Sequence, residues 1–223
     1  MKRARRNTEN RIVEAAVQLF AQQGFSGTST REIARLADVN ETSLFRHFSR
    51  KQELFWAALH SRLDRVRMPK ELQTALAEDG NPAVVVPLIL KFLVQTATLQ
   101  RELIRILQFS LLELRPSAER ICRQQLAPIL QPISDYLSRC IESGTLRKLD
   151  SSLPAVAVIG TILAHEALSH LSDGSGSPYC NADEAVAAYS KFWLDMLMPC
   201  CEFHGSQGKV LSGGGRALCG PQE

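Results

Sequence analysis

The stretch from Ser29 to Phe48, S-T-R-E-I-A-R-L-A-D-V-N-E-T-S-L-F-R-H-F, constrains this chain more than any other. It reads as two short helices joined by a tight turn. Ser29 and Glu32 have the S-x-x-E spacing of a capping box, in which hydroxyl and carboxylate each take one orphan N–H at a helix start. Ile33, Ala34 and Ala37 form a narrow apolar stripe behind it. Asp38 tolerates the left-handed backbone that ends a helix abruptly, and Val39 is expected to plug the space between the helices. Asn40 is a strong N-cap for the second helix, where Leu44 and Phe48 lie one turn apart and face inward together. The outward face then carries Glu41, Thr42, Ser43, Arg46 and His47. Short polar groups followed by cationic or hydrogen-bonding ones suit the DNA major groove, whose base edges present donors and acceptors.

Helices are expected on both sides of this unit. From Asn10 to Gln23, Ile12, Val13, Ala16, Leu19 and Phe20 recur at helical spacing. Gly24 is placed as the C-cap, with Phe25 folding back over the helix end. Beyond the unit, Ser49 and Gln52 form a second capping pair. They open a helix through Leu54, Phe55, Ala58, Leu59, Leu63 and Val66 that should stop just before Pro69.

Residues 9 to 55 resemble the DNA-binding domain of the TetR family of bacterial transcriptional regulators. The resemblance is carried by I-V-E-A-A-V-Q-L-F-A-Q-Q-G-F, T-S-T-R-E-I-A, and L-F-R-H-F followed by K-Q-E-L, and it covers about a quarter of the chain. It implies that Thr42, Ser43 and Arg46 read base edges, Arg46 with the fork that matches guanine O6 and N7. It also implies phosphate contacts at His47 and Lys51 and a docked phosphate near Thr28. Thr30, Arg31, Asn40 and Phe45 complete the DNA-facing set. Two positions depart from the family pattern. Glu41 stands where Lys is frequent, exchanging a phosphate contact for a cytosine N4 contact or for repulsion. Phe45 stands where Tyr is usual, which leaves packing without a phosphate-binding hydroxyl.

Charge agrees with this placement. Residues 1–51 carry ten Lys and Arg against five Asp and Glu, a net +5, while residues 52–223 carry a net −2, which together make the chain's +3. A basic excess confined to the helix-turn-helix is an electrostatic footprint for phosphate. The K-R-A-R-R arm over residues 1–8 is expected to be flexible, either lying along phosphates or entering a minor groove, or else remaining a solvated tail. The six cysteines show no C-x-x-C spacing. Without a signal peptide, they read as reduced thiols of a soluble, cytoplasmic protein. The weakly polar stretches near 83–90 and 153–164 fall short of a membrane span.

The expected class is all-α: a three-helix DNA-binding domain over 1–52, a helical ligand-binding and dimerisation domain over 53–202, and a disordered tail over 203–223. Residues 69–81 read as a connection. Five helices follow: one opened by Asn81 and Pro82 and kinked or reset at Pro87, then Gln100 to Leu114, Pro116 to Ser143 with Gly144 as C-cap and bends at Pro128 and Pro132, Pro154 to Leu171, and Ala182 to Cys201. The last two are apolar round most of their circumference, so a second copy of the chain is expected to cover them. The family resemblance implies a small-molecule effector in the body. Phe92, Gln95, Thr96, Phe109, Glu113 and His165 are candidate lining residues, because they place polar or aromatic groups on apolar helices. His165 and His170 stand five apart, about 140° round a helix, so they do not form an H-E-x-x-H metal site. No metal, cofactor or catalytic constellation is expected. The chain therefore reads as a ligand-responsive repressor binding a palindromic operator as a homodimer. The alternative is a helical ligand-binding or adaptor protein that keeps the helix-turn-helix as scaffold.

Overall fold

Helices make up nearly all of the described chain: α1 (Lys2–Gly27), α2 (Thr30–Leu36), α3 (Glu41–His47), α4 (Lys51–Leu63), α5 (Lys70–Ala77), α6 (Pro82–Leu99), α7 (Arg101–Glu113), α8 (Ala127–Glu142), α9 (Ser152–Leu171) and α10 (Ala182–Leu197). They belong to a computed structural model that describes residues 2–114, 124, 126–150, 152–171 and 181–199, among which no strand occurs. The chain is all-α, as expected.

The N-terminal core forms where the periodicities of α1, α2, α3 and α4 converge. Ile12, Ala16 and Phe20 of α1 are buried with Ile33 of α2, Leu44 of α3, and Leu54, Phe55 and Leu59 of α4. Phe20, Phe25 and Phe55 make an aromatic triangle with centroids 5.2, 5.5 and 6.0 Å apart. The fully buried Phe20 and Phe55 rings each contribute roughly 1.5–3 kcal/mol through burial alone, and the half-buried Phe25 less. The core does not end at α4. Leu103, Ile106 and Leu107 of α7 pack into it, so the helix-turn-helix unit and the body share a wall.

A second core gathers Leu72 and Leu76 of α5, Val85, Val86, Ile89, Leu90 and Phe92 of α6, Ile133, Tyr136, Leu137 and Cys140 of α8, and Trp193 and Leu197 of α10. The central helix is α6, packed against α5, α7, α9 and α10. It is long and apolar enough to cross a membrane by length and composition, which extends the apolar stretch beyond the expected 83–90. Its buried Val85, Ile89, Leu90, Phe92 and Val94 place it as a core helix. Asn81 caps it by accepting the Ala83 N–H at 2.9 Å, and the helix continues through Pro87.

Several boundaries differ from expectation, each for a local reason. The basic arm from Lys2 onward is helical and continuous with α1; Lys, Arg and Ala are good helix formers, and extending an existing helix is easier than starting one. Gly24 is not a simple C-cap. Its backbone turns to φ 74°, ψ −176°, and helical structure resumes as far as Gly27. Ser49 pairs with Glu53 rather than Gln52, its N–H and hydroxyl donating to the carboxylate at 2.9 and 2.8 Å. Helix α4 ends at Leu63, well short of Pro69. The segment read as a connection contains α5, which starts directly after Pro69 and buries Leu72 and Leu76, one turn apart. Helix α8 starts at Ala127 with Pro128 in its first turn and Pro132 inside it; the expected onset at Pro116 lies outside the described residues. Gly144, at φ 76°, follows the end of α8. Helix α10 stops at Leu197. The loop at 173–178 and the tail at 203–223 lie outside the described residues.

Candidate nucleic-acid interface and effector cavity

The α2–turn–α3 unit is held by contacts that begin at its first residue. The Ser29 N–H donates to the Glu32 carboxylate at 2.9 Å, and the Glu32 N–H returns a bond to the Ser29 hydroxyl at 3.2 Å. The capping box is complete, and the Ser29 hydroxyl, which also donates to the Glu32 carboxylate at 2.7 Å, holds that carboxyl below its ordinary pKa with help from the Ser29 N–H. At the turn, Asp38 adopts φ 53°, and the Val39 N–H reaches back to the Ala34 carbonyl at 3.0 Å. Arg11 of α1 clamps this turn, donating to the carbonyls of Ala37 and Asp38 and to the Asp38 carboxylate at 3.1 Å. Asn40 accepts the Ser43 N–H at 2.7 Å and starts α3.

What remains outward on α3 is narrower than the sequence suggests. Thr42, Phe45 and Arg46 are exposed, Ser43 is half-buried, and Leu44 is in the core. Arg31 and Asn40 are exposed beside them. Five other expected DNA-facing residues have inward partners. The Thr30 hydroxyl donates to the Glu41 carboxylate at 2.7 Å, which ties α2 to α3 and turns Glu41 away from any base. Thr28 is buried, its hydroxyl donating to the Gly24 carbonyl at 2.8 Å. The Lys51 ammonium donates to the carbonyls of Phe25 and Thr28 at 2.6 and 2.8 Å and lies over the Phe25 ring. It thus fixes the start of α4 to the segment before α2. The His47 side chain is 8% exposed and sits 3.8 Å from the Glu9 carboxylate, so it faces α1.

The body holds a cavity of about 370 Å³ between α4, α6, α7, α8 and α9. Of the six candidate lining residues, Phe92 and Thr96 line it and the other four do not. Gln95 is exposed. Phe109 and Glu113 face the Gly24 backbone, and the Glu113 carboxylate accepts the Ser26 N–H at 2.6 Å. His165 Nδ1 is 3.0 Å from the Tyr189 hydroxyl. Most of the wall is aliphatic, including Leu63, Val66, Leu103, Ile104, Leu107 and Ile162. A search for polar or aromatic side chains passes over such residues, because in sequence they look like ordinary core.

Among the described residues, two polar ties join α7 to the helix-turn-helix unit. One is the Glu113–Ser26 contact. The other centres on Arg62 of α4, which is 4% exposed. Its terminal nitrogens donate to the Glu14 carboxylate of α1 at 2.6 and 3.0 Å, and its Nε donates to Glu102 of α7 at 2.8 Å. Hydrogen bonding from Arg62, helped by Arg65, holds the Glu14 carboxyl below its ordinary range. The bond to Glu14 in turn raises the Arg62 pKa against the effect of burial. No sequence motif announces this cluster, since its members lie 40 and 48 residues apart.

The sequence profile of the bacterial regulatory proteins of the tetR family matches residues 12–58, which run from α1 into α4. The HTH-type transcriptional regulator YvkB of Bacillus subtilis (strain 168) is 46% identical over 54 residues, which is 24% of this chain and 29% of that protein. The chain thus spans less than a third of that relative's length. Two solved structures extend the likeness through the body. A tetR-family transcription regulator from Shewanella sp. PV-4 is 25% identical with a TM-score of 0.62, covering 86% of this chain and 99% of the other. AibR, solved with isovaleryl coenzyme A and operator DNA, is 18% identical with a TM-score of 0.65, covering 83% and 97%. Over residues 12–58 the chain thus matches the tetR family of bacterial regulatory proteins, and through the body it shares the all-helical fold of these solved structures.

Proposed function

We propose that the chain is a ligand-responsive transcriptional repressor that binds a palindromic DNA operator as a homodimer in the cytoplasm, and that it is not an enzyme. The observation that carries this reading is the division of labour on α3. Glu41, Leu44 and His47 face inward, while Thr42, Phe45 and Arg46 are left together on the exposed side. In the reading, this side enters the major groove: Arg46 bonds a guanine edge, Thr42 and Ser43 bond neighbouring edges, and the Phe45 ring packs on a thymine methyl. Phosphate contacts fall to Arg31 and to backbone N–H groups, because the Lys51 and His47 side chains already hold α4 and α1 in place. The test is operator binding by a duplex selected from random sequences. Arg46→Ala should weaken specific binding by about 10- to 100-fold, equivalent to about 1–3 kcal/mol, and relax selectivity at one base pair. Affinity should also fall linearly with salt on a log–log scale. Parental affinity and selectivity in Arg46→Ala would remove this helix from the interface.

Dimerisation is supported by α10, which exposes Phe192 and Met196 one turn apart, 55% and 52% accessible, while Trp193 and Leu197 turn into the core. Large apolar side chains paired on one exposed face mark an interaction surface. A two-fold dimer would present two α3 helices about 34–36 Å apart, one turn of duplex. In sedimentation, the parent should run at twice the chain mass and Phe192→Glu/Met196→Glu at one. A parent that runs as a monomer while binding a palindrome tightly would contradict the dimer. The effector side of the reading is supported by the cavity itself, and by AibR, a fold neighbour solved with an acyl coenzyme A and operator DNA.

A further inference from the structure

We infer that the basic arm is a helical phosphate-binding extension: Arg5 and Arg6 lie along the duplex backbone just outside the base pairs that α3 reads, and the arm stays out of the minor groove. This rests on the regulatory reading above and adds a contact surface to it. Residues 2–8 hold four Lys and Arg and no Asp or Glu. Arg5 and Arg6 are exposed, and neither has an ion-pair partner among the described residues. A guanidinium left open in this way presents its planar fork to an anion, and phosphate oxygens match that fork in bidentate fashion.

Placement follows from α1 itself. The Glu9 carboxylate is 3.8 Å from His47, the last residue of α3, so α1 passes the end of the reading helix at that point. Arg5 and Arg6 stand four and three residues before Glu9, and α1 is helical from Lys2 onward. Residues at those spacings are neighbours on one helix face. Both arginines therefore carry on, one turn further out, from the place where Arg46 lies exposed beside His47. Backbone conformation then decides the groove. An α-helix with its side chains is about 10–12 Å across, whereas the minor groove is about 6 Å wide. The arm is too broad to enter, and the phosphates on the rim are what remains within reach. Such a contact is blind to sequence and steeply dependent on salt.

The test uses the full-length protein and a duplex selected from random sequences, with affinity followed across a salt series. Each phosphate contact contributes about 0.9 to the log–log slope. Arg5→Gln/Arg6→Gln should therefore flatten the slope by about 1.8 per subunit and weaken binding at least tenfold at about 0.1 M salt. Its melting temperature and its ranking of single base-pair variants of the duplex should stay as in the parent. Arg5→Lys/Arg6→Lys should restore the slope. Asn7→Pro keeps every charge but breaks the helix between the arm and the rest of α1, and it should lose most of the same slope. Inosine in place of guanine in the flanks removes the amino group that marks a G·C pair in the minor groove, and affinity should not change. A parental slope in Asn7→Pro, or an affinity that responds to inosine in the flanks, would overturn the helical placement. A selected duplex that Arg5→Gln/Arg6→Gln binds with parental slope would remove the arm from the interface and leave the regulatory reading standing. If no duplex is selected at all, the regulatory reading falls and the arm's role falls with it.

Discussion

Gly24→Ala should lower the stability of the folded chain by about 3 kcal/mol or more, a fall in melting temperature of roughly 6–12 °C for a chain of this size. Two effects add. At φ 74° and ψ −176° the backbone lies in a region open essentially to glycine, where another residue costs about 1–3 kcal/mol. A Cβ there would also lie 2.2 Å from Glu113 Oε1 and 2.8 Å from Phe109 Cδ1. The carboxylate can swing away, but it then gives up the Ser26 N–H; the Phe109 ring has less freedom to retreat. Gly144→Ala is the control. Its φ is 76°, and nothing lies within 4 Å of the added Cβ, so it should cost about 1 kcal/mol from backbone strain alone. Adding Glu113→Ala to Gly24→Ala should recover part of the loss and leave the strain. Equal costs at the two glycines in thermal or urea denaturation would mean that α7 does not press on the Gly24 turn.

The features legible in the sequence were those whose physics closes within a few residues. Ser29 with Glu32, Asn40 with Ser43, and Asn81 with Pro82 each announce a helix start, and each cap forms. The periodicity of Ile12, Ala16 and Phe20, and of Leu54 and Leu59, was enough to place the N-terminal core. Short elements with few apolar residues were not legible: α5 spans eight residues and turns only Leu72 and Leu76 fully inward. The candidate site divides in the same way. Arg46 and Thr42 are outward because local helical phase puts them there. Glu41, Thr28 and Lys51 took part in the expected interface until their partners were known, and those partners are supplied by tertiary packing: Thr30, the Gly24 carbonyl, and the carbonyls of Phe25 and Thr28. The cavity was sought among polar and aromatic residues. Its wall is aliphatic, and what makes Leu63 or Leu107 a lining residue is the spacing between helices, which no local pattern encodes.

Removing the carboxylates around Arg62 should cost more than removing Arg62 itself. The guanidinium is buried, whereas the Glu14 and Glu102 side chains are 51% and 46% exposed. In Glu14→Gln/Glu102→Gln, a buried positive charge keeps amide hydrogen bonds but loses both compensating charges. Breaking a buried pair in this way costs about 3–5 kcal/mol, and the retained amide bonds place the double variant near the lower end. In Arg62→Met the side chain left behind packs as a hydrocarbon, the Glu14 carboxylate keeps Arg65 and the Glu102 carboxylate reaches water, so the loss should be about 1–2 kcal/mol. The acid response separates the variants further. The Glu14 carboxyl titrates below its ordinary value of 4.5 in the folded chain, so between the two values the unfolded chain binds more protons and stability rises with pH. This contribution is complete above the ordinary value and is lost as pH falls through the folded one. Arg62→Met removes the largest cause of the shift, so its urea midpoint should decline less steeply than the parent's below about pH 5. An Arg62→Met protein less stable than the double-Gln variant would reverse the argument. It would mean that the side chain's packing between α1, α4 and α7 outweighs the charge it carries.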